Sequence, residues 1–318
     1  MRDVCVVGLG LIGGSVLRAA AAAGRAVWGA TASEQDAEAA RADGYAVTGL
    51  AEALERARER DALVVVAVPL PNVEDVLRAL PAGVRLTDVV SVKGPVRDLV
   101  ARVAPDARYV GGHPMAGTSA SGWAAGRSDL FRDAAWVVSA EDGTDVDVLT
   151  DVIGLALAAG AHVVPATADE HDAAVARISH LPHLLAAVLA SVGADGGPLA
   201  LALAAGSFGD GTRVAGSRPE LVRAMCEGNR SALLGAVDDA LGRLGAARGS
   251  LASTGGLAKT LDAGHEARLA LVERQEAGGT SLTVDLTSPE ALAALRALGS
   301  RGGRVVGLDG STALARTT

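Results

Sequence analysis

The stretch Gly111-Gly112-His113-Pro114-Met115-Ala116-Gly117-Thr118 pins a histidine between glycines and a proline, directly after the strand-like run Arg108 to Gly111. An imidazole titrates near neutral pH, so His113 can serve as a general base; otherwise its ring bonds loop carbonyls. A second cluster, Ile178-Ser179-His180-Leu181-Pro182-His183, offers two further imidazoles, one of which could cap or pack. Ser91-Val92-Lys93-Gly94 follows another strand-like run and reads either as a hydroxyl at a sheet edge or as a helix-capping serine. In Phe208-Gly209-Asp210-Gly211-Thr212-Arg213 a glycine-flanked guanidinium presents a planar fork suited to a carboxylate, although taken singly it fits a surface ion pair as well.

A cofactor to accompany these groups is suggested by Val4-Cys5-Val6-Val7-Gly8-Leu9-Gly10-Leu11-Ile12-Gly13-Gly14-Ser15, an apolar run that enters a glycine turn and continues into an Ala-rich segment ending at Gly24. The spacing of Gly8, Gly10 and Gly13 fits a dinucleotide fingerprint. The first glycine makes a tight turn, the second admits the pyrophosphate and the third lets strand and helix pack closely. The helix N-terminus, with Leu11 and Ile12, then faces the phosphate charge. The alternative is an ordinary tight strand-to-helix turn. Thr31, after the second strand, and Val68-Pro69, after the third, are the other expected cofactor contacts. No acid stands at Thr31 to Ser33 to hold a ribose and no arginine to recruit a 2′-phosphate, which favours NAD with NADP not excluded.

The elements that must position these residues follow from the pattern of apolar runs. Ala62 to Val68 is continuously apolar, as a strand buried on both faces requires, and further strand-like runs recur at Arg85 to Val90, Arg108 to Gly111, Ala135 to Ser139 and His162 to Pro165. Helical patterns lie between most of them, so the fold class is α/β, with an N-terminal Rossmann-type doubly wound sheet over 1–166. From Asp169 the texture changes to long amphipathic helices, giving a mostly α-helical substrate and dimerisation domain over 167–278. Residues 279–318 read as strand, helix and strand (Ser281 to Leu286, Pro289 to Leu298, Arg304 to Leu308) followed by a polar tail, a small βαβ-like extension.

Composition narrows the class further. A net charge of −8 over 318 residues argues against a nucleic-acid partner. Two cysteines, Cys5 and Cys226, make neither a disulfide framework nor a zinc set, so no metal is expected and a reducing cytoplasm is the simplest compartment. No signal peptide is expected before the first strand, and Gly, Pro and His interrupt the apolar stretches, so no membrane partner is expected either. The apolar residues Leu181, Leu184, Leu185 and Val188 exceed what a small helical domain can cover, which implies a homodimer.

Taken together, GLGLIGGS, DVVSVKG (88–94), GGHPMAGT (111–118), DEHDAAVARISHLPH (169–183) and FGDGTRVA (208–215) resemble, in order, the motifs of the prephenate dehydrogenases of tyrosine biosynthesis, in particular the actinobacterial type. The resemblance covers about residues 1–280 and implies an NAD(P)-dependent oxidoreductase acting on prephenate, with arogenate or an amino-substituted prephenate as the alternative substrate. It implies that His113 is catalytic at the 4-hydroxyl of the substrate ring with Ser91 assisting, that His183, His180 and Thr118 line the substrate pocket, and that Arg213 binds a substrate carboxylate. It also implies a homodimer. The chain departs from many relatives at Ser119, where they carry an acid, and at Val222, where they carry a tryptophan. Those positions bear on substrate preference and feedback control. A protein that kept this fold and lost the reaction is the non-enzyme alternative.

Overall fold

The computed structural model describes residues 2–118, 120–276 and 278–317; Ser119 lies outside them. Five strands, β1 (Val4–Val7), β2 (Val27–Ala30), β3 (Leu63–Val66), β4 (Arg85–Asp88) and β5 (Arg108–Val110), form a sheet of order β2-β1-β3-β4-β5 in which every pairing is parallel. The central strand shows why. All four residues of β1 are buried: Val4 and Val6 join one core with Val16, Leu17 and Val65, whereas Cys5 and Val7 join a second with Trp28, Leu54 and Val64. Side chains alternate across a strand, so a wholly apolar strand needs cover on both faces. Helix Leu11–Ala22 covers one and helix Leu50–Glu59 the other.

The runs after β5 do not extend this sheet. They build a second one from β6 (Gly112–Pro114), β7 (Ala135–Ser139), β8 (His162–Ala166), β9 (Ser281–Asp285), β10 (Arg304–Asp309) and β11 (Thr312–Arg316), in the order β6-β7-β8-β10-β11-β9. Only β7 and β8 run parallel there. The expected single sheet is therefore two, because the chain leaves β5 at Gly111 and β6 pairs antiparallel with β7 instead of extending the first sheet beside β5. The C-terminal segment differs as well. What reads as a polar tail after Leu308 is strand β11, with Ala313 and Ala315 buried, lying between β9 and β10 and antiparallel to both. Helix Ala291–Ser300 seals this part by burying Ala291, Leu295 and Leu298.

The chain divides into two compact units, the first comprising residues 2–172, 218–228 and 281–317, so that the C-terminal strands belong with the sheets. The second, residues 173–217 and 229–280, is helical, with Leu181–Asp195, Gly197–Ala202, Gly206–Thr212, Arg230–Ser253 and Ala258–Glu276 as its main helices. Helix Ala168–Val175, the π turn Ala176–His180 and helix Leu181–Asp195 make a continuous helical run that is long and apolar enough to cross a membrane by length and composition alone. Its apolar side chains Leu184, Leu185, Val188, Leu189 and Val192 are exposed.

Candidate active site

The glycine turn has the shape a dinucleotide requires. Gly8 sits at φ +99°, in the left-handed region that favours glycine, and a Cβ there would lie 2.6 Å from the Ala67 carbonyl oxygen and 3.0 Å from Val68 Cγ1. A Cβ on Gly13 would fall 1.8 Å from the Gly8 carbonyl oxygen, so the turn and the helix touch through backbone alone. Gly10 is different: a Cβ there meets nothing within 4 Å. It is also the N-cap of helix Leu11–Ala22, which has neither a side-chain cap nor an acid in its first turn. The first N–H groups of that helix thus have no side-chain cap and no acid beside them in the first turn, which suits a pyrophosphate. Thr31 Oγ1 accepts from Ser33 N–H at 3.3 Å, and Ser33 caps helix Glu34–Ala42, whose first turn carries Glu34 and Asp36. Pro69 follows Val68 as the residue that opens the short 3₁₀ turn Leu70–Asn72.

His113 lies mid-way along β6, opposite Val137 of β7. Its Nδ1 is 2.8 Å from Nε2 of His171, and His171 Nδ1 is 2.7 Å from Oδ1 of Asp172. The two rings meet edge-on, 5.1 Å apart. Asp172 in turn accepts the backbone N–H of Lys93 and that of Gly94, each at 2.8 Å, and so caps helix Gly94–Val103. Burial opposes its ionisation, but the hydrogen bonds from His171, Lys93 and Gly94 prevail and hold its pKa below the ordinary carboxylate value. Burial is also the largest influence on His171; it lowers that pKa, with the Lys93 charge adding to it and Asp172 opposing.

Beneath β6 lies a buried polar cluster. Lys93 is wholly buried, pairs with Asp88 Oδ1 and donates to the Gly112 carbonyl at 2.7 Å. Tyr109 donates to the other oxygen of Asp88 at 2.6 Å, and Val90 N–H donates to Oδ1 at 2.8 Å. Burial pushes the Lys93 pKa down against the pull of Asp88, and pushes that of Tyr109 well up, with the Asp88 charge adding. Ser91 stands half-buried in the turn between β4 and helix Gly94–Val103; the capping role open to it is filled by Asp172. Thr118 is exposed and accepts from Ala120 N–H at 3.2 Å.

In the helical unit, Arg213 is exposed at the start of the 3₁₀ turn Arg213–Gly216 and forms no ion pair among the described residues. His183 is half-buried. Burial lowers its pKa, the Val214 backbone opposes and the positive charge of Arg213 lowers it further, so the ring is neutral near pH 7. His180 corrects an expectation. It has no exposed surface, and its Nδ1 is 3.1 Å from Asn229 Nδ2. A ring so placed ties the π turn to the start of helix Arg230–Ser253 and offers no surface to a substrate. The residues that a reading of the sequence passes over are His171 and Asp172, whose partners lie 58 and 79 positions away. The signal available was their place in the DEHD run that opens the helix.

Two family models match consecutive stretches of the chain. Residues 14–165 match the family model described as prephenate dehydrogenase, nucleotide-binding domain, and residues 167–255 match prephenate dehydrogenase, dimerization domain. A prephenate dehydrogenase of Bacillus subtilis is 34% identical over 259 residues, spanning 75% of this chain and 67% of that protein. A cyclohexadienyl dehydrogenase of Zymomonas mobilis is 30% identical over 285 residues, 85% of this chain and 96% of that one. A crystal structure from Corynebacterium glutamicum, provisionally named a prephenate dehydrogenase, is 44% identical, covers 95% of this chain and 98% of its own, and superposes with a TM-score of 0.89.

Proposed function

The chain belongs to the prephenate dehydrogenase family, and we propose that His113 is the base with which it carries out that family's reaction, the oxidative decarboxylation of prephenate to 4-hydroxyphenylpyruvate with NAD as hydride acceptor. The observation that carries the reading is the pair of consecutive family matches, which together contain Ser91, His113, His183 and Arg213.

Gly8, Gly10 and Gly13, with the N–H groups of Leu11 and Ile12, would hold the pyrophosphate of NAD, with Val68 and Pro69 beside the turn and Thr31 toward the ribose. The acidic first turn after Thr31, Glu34 and Asp36, disfavours an added 2′-phosphate and supports NAD over NADP. When bound, NAD supplies the acceptor for the hydride that leaves ring C4.

Loss of hydride makes the C4 oxygen acidic, and a neutral His113 takes its proton. The ring carboxylate then departs as CO2 and its bonding electrons complete the aromatic ring, leaving a phenolate to which His113 returns the proton. Ser91 assists at the same oxygen, and Thr118 belongs to the substrate loop. Arg213, which has no carboxylate partner among the described residues, binds a substrate carboxylate through its two-pronged fork, with the neutral His183 beside it. The apolar faces of the helical unit pair with those of a second copy, giving a homodimer in keeping with the dimerization-domain match. Two free cysteines suit a soluble cytoplasmic enzyme.

A wider cyclohexadienyl range that includes arogenate is the second reading, favoured by the name of the Zymomonas relative. Initial rates with prephenate and with arogenate, each with NAD and NADP, test both. Turnover with neither substrate overturns the assignment, and comparable kcat/KM values for the two favour the wider one.

A further inference from the structure

We propose that His171 and Asp172 are positioning residues for His113: they fix its ring and hold it in the one neutral tautomer able to act as a base, and they share the charge when it takes a proton. The proposal rests on the reading of His113 as that base.

The argument begins at the far end of the chain of contacts. The Asp172 carboxylate accepts two backbone N–H groups at a helix N-terminus, an arrangement that stabilises the ionised form, and an ionised carboxylate can only accept. His171 Nδ1, 2.7 Å away, therefore carries a hydrogen and donates it. Burial and the neighbouring Lys93 ammonium keep the His171 ring neutral, so its Nε2 bears a lone pair. At 2.8 Å from that lone pair, Nδ1 of His113 must be the donor. The hydrogen of neutral His113 is thus on Nδ1 and its lone pair on Nε2. The reverse tautomer would set two lone pairs against each other across 2.8 Å.

When Nε2 takes a proton, the imidazolium that forms still donates from Nδ1 into His171, and part of its charge is answered by Asp172. The supports lie on separate elements: His113 on β6, His171 and Asp172 on helix Ala168–Val175, and the capped N–H groups on helix Gly94–Val103. The ionisable groups facing His171 are Asp172, His113, Lys93 and Asp88; Lys93 is held to Asp88 and to the Gly112 carbonyl, next to His113. A serine-protease-like order results, in which a buried acid orients one imidazole and that imidazole orients the next.

The test has two parts. In the unaltered protein, nitrogen NMR of labelled histidine rings above the titration range should show His113 protonated at Nδ1; protonation at Nε2 overturns the proposal without any variant being made. In His171→Leu, kcat should fall by roughly tenfold to a thousandfold, less than for loss of the base itself, with KM for prephenate and affinity for NAD nearly unchanged. The acid limb of kcat/KM should move to lower pH, because the imidazolium has lost its acceptor. His171→Gln, whose amide can both accept from His113 and donate to Asp172, should recover most of the rate. A His171→Leu enzyme with parental kcat and an unmoved limb overturns the proposal, and so does a His171→Gln enzyme no better than His171→Leu. If His113→Asn itself retains the parental rate, the failure lies with the assignment of the base.

Discussion

Lys93 and Asp88 form an ion pair with about 1% of either side chain exposed. The pair joins the end of β4 to the turn before helix Gly94–Val103, and through the Gly112 carbonyl it fixes β6 in place under His113. Burying two charges is costly, and removing one partner strands the other. Lys93→Met should therefore destabilise the fold by about 3–5 kcal/mol. The double variant Lys93→Met/Asp88→Asn should lose less than the sum of the two single losses, since neither leaves an uncompensated charge. Urea unfolding of the four proteins provides the cycle; strict additivity would mean that the pair is not coupled.

Gly10 and Gly13 should separate cofactor binding from folding. A methyl at Gly13 strikes the Gly8 carbonyl at 1.8 Å, so Gly13→Ala should cost about 1–3 kcal/mol of stability and displace the turn as well. Gly10 has φ −76° and open space around its missing Cβ, so Gly10→Ala should fold with near-parental stability. Its methyl would nevertheless stand where the pyrophosphate must approach, and NAD affinity should fall by roughly tenfold or more, at least about 1.4 kcal/mol. Calorimetry with NAD beside thermal melts distinguishes the two effects. Unchanged NAD affinity in Gly10→Ala would falsify the placement of the cofactor.

The apolar face of the helical unit should hold two copies together. Leu185 and Val188 are 47% and 51% exposed on helix Leu181–Asp195, with Leu184, Leu189 and Val192 near them. So much exposed apolar surface on one helix marks an association site. Sedimentation equilibrium should give a dimer at micromolar concentration, and Val188→Glu should shift it toward monomer by placing a charge on the buried face. A parent protein that sediments as a monomer sinks this.

The elements that were legible in the sequence are those whose signal is local. The four-residue β1, the glycine spacing after it and the continuous run before Val68 each show their environment in their own residues, because a strand covered on both faces must be apolar throughout. The same is not true of β11. Its buried residues are Ala313 and Ala315, small side chains with weak strand preference, and its partners β9 and β10 are brought to it by tertiary packing. The split into two sheets is hidden likewise, since a run of apolar residues does not say which neighbour it will pair with. Among the candidate residues, His113 and Arg213 stand out through their glycine-rich settings and Ser91 through its place after a strand-like run. His171 and Asp172 do not, because what distinguishes them is contact with residues 58 and 79 positions away.

Arg213→Ala should weaken prephenate binding and leave NAD affinity alone. The guanidinium is exposed and meets no carboxylate among the described residues, so its removal costs the fold little. A charged hydrogen bond is worth about 1.5–3 kcal/mol, which converts to a rise in KM of roughly tenfold to a hundredfold with a smaller change in kcat. Steady-state kinetics and a melt suffice. Equal losses for both ligands, or a large drop in melting temperature, would mean that Arg213 supports the helical unit instead of the substrate.

His113→Asn should fold, bind NAD and bind prephenate nearly as the parent does, while kcat falls by roughly a hundredfold to ten-thousandfold, the range for a lost general base. Asparagine can still hydrogen-bond the ring hydroxyl but cannot take its proton as hydride departs. The sign of the pH dependence follows from the same step. Only the neutral imidazole accepts a proton, so in the parent kcat/KM should be level above the pKa of the histidine in the free enzyme and fall tenfold for each pH unit below it. In the variant that limb should vanish, leaving a low and flatter profile, because no group at this position titrates any longer. His183, also half-buried and neutral near pH 7, is the control: His183→Asn should raise KM while the acid limb survives. If instead the limb persists in His113→Asn and disappears in His183→Asn, the base is His183, and the contact of His113 with His171 serves only to hold β6 in place.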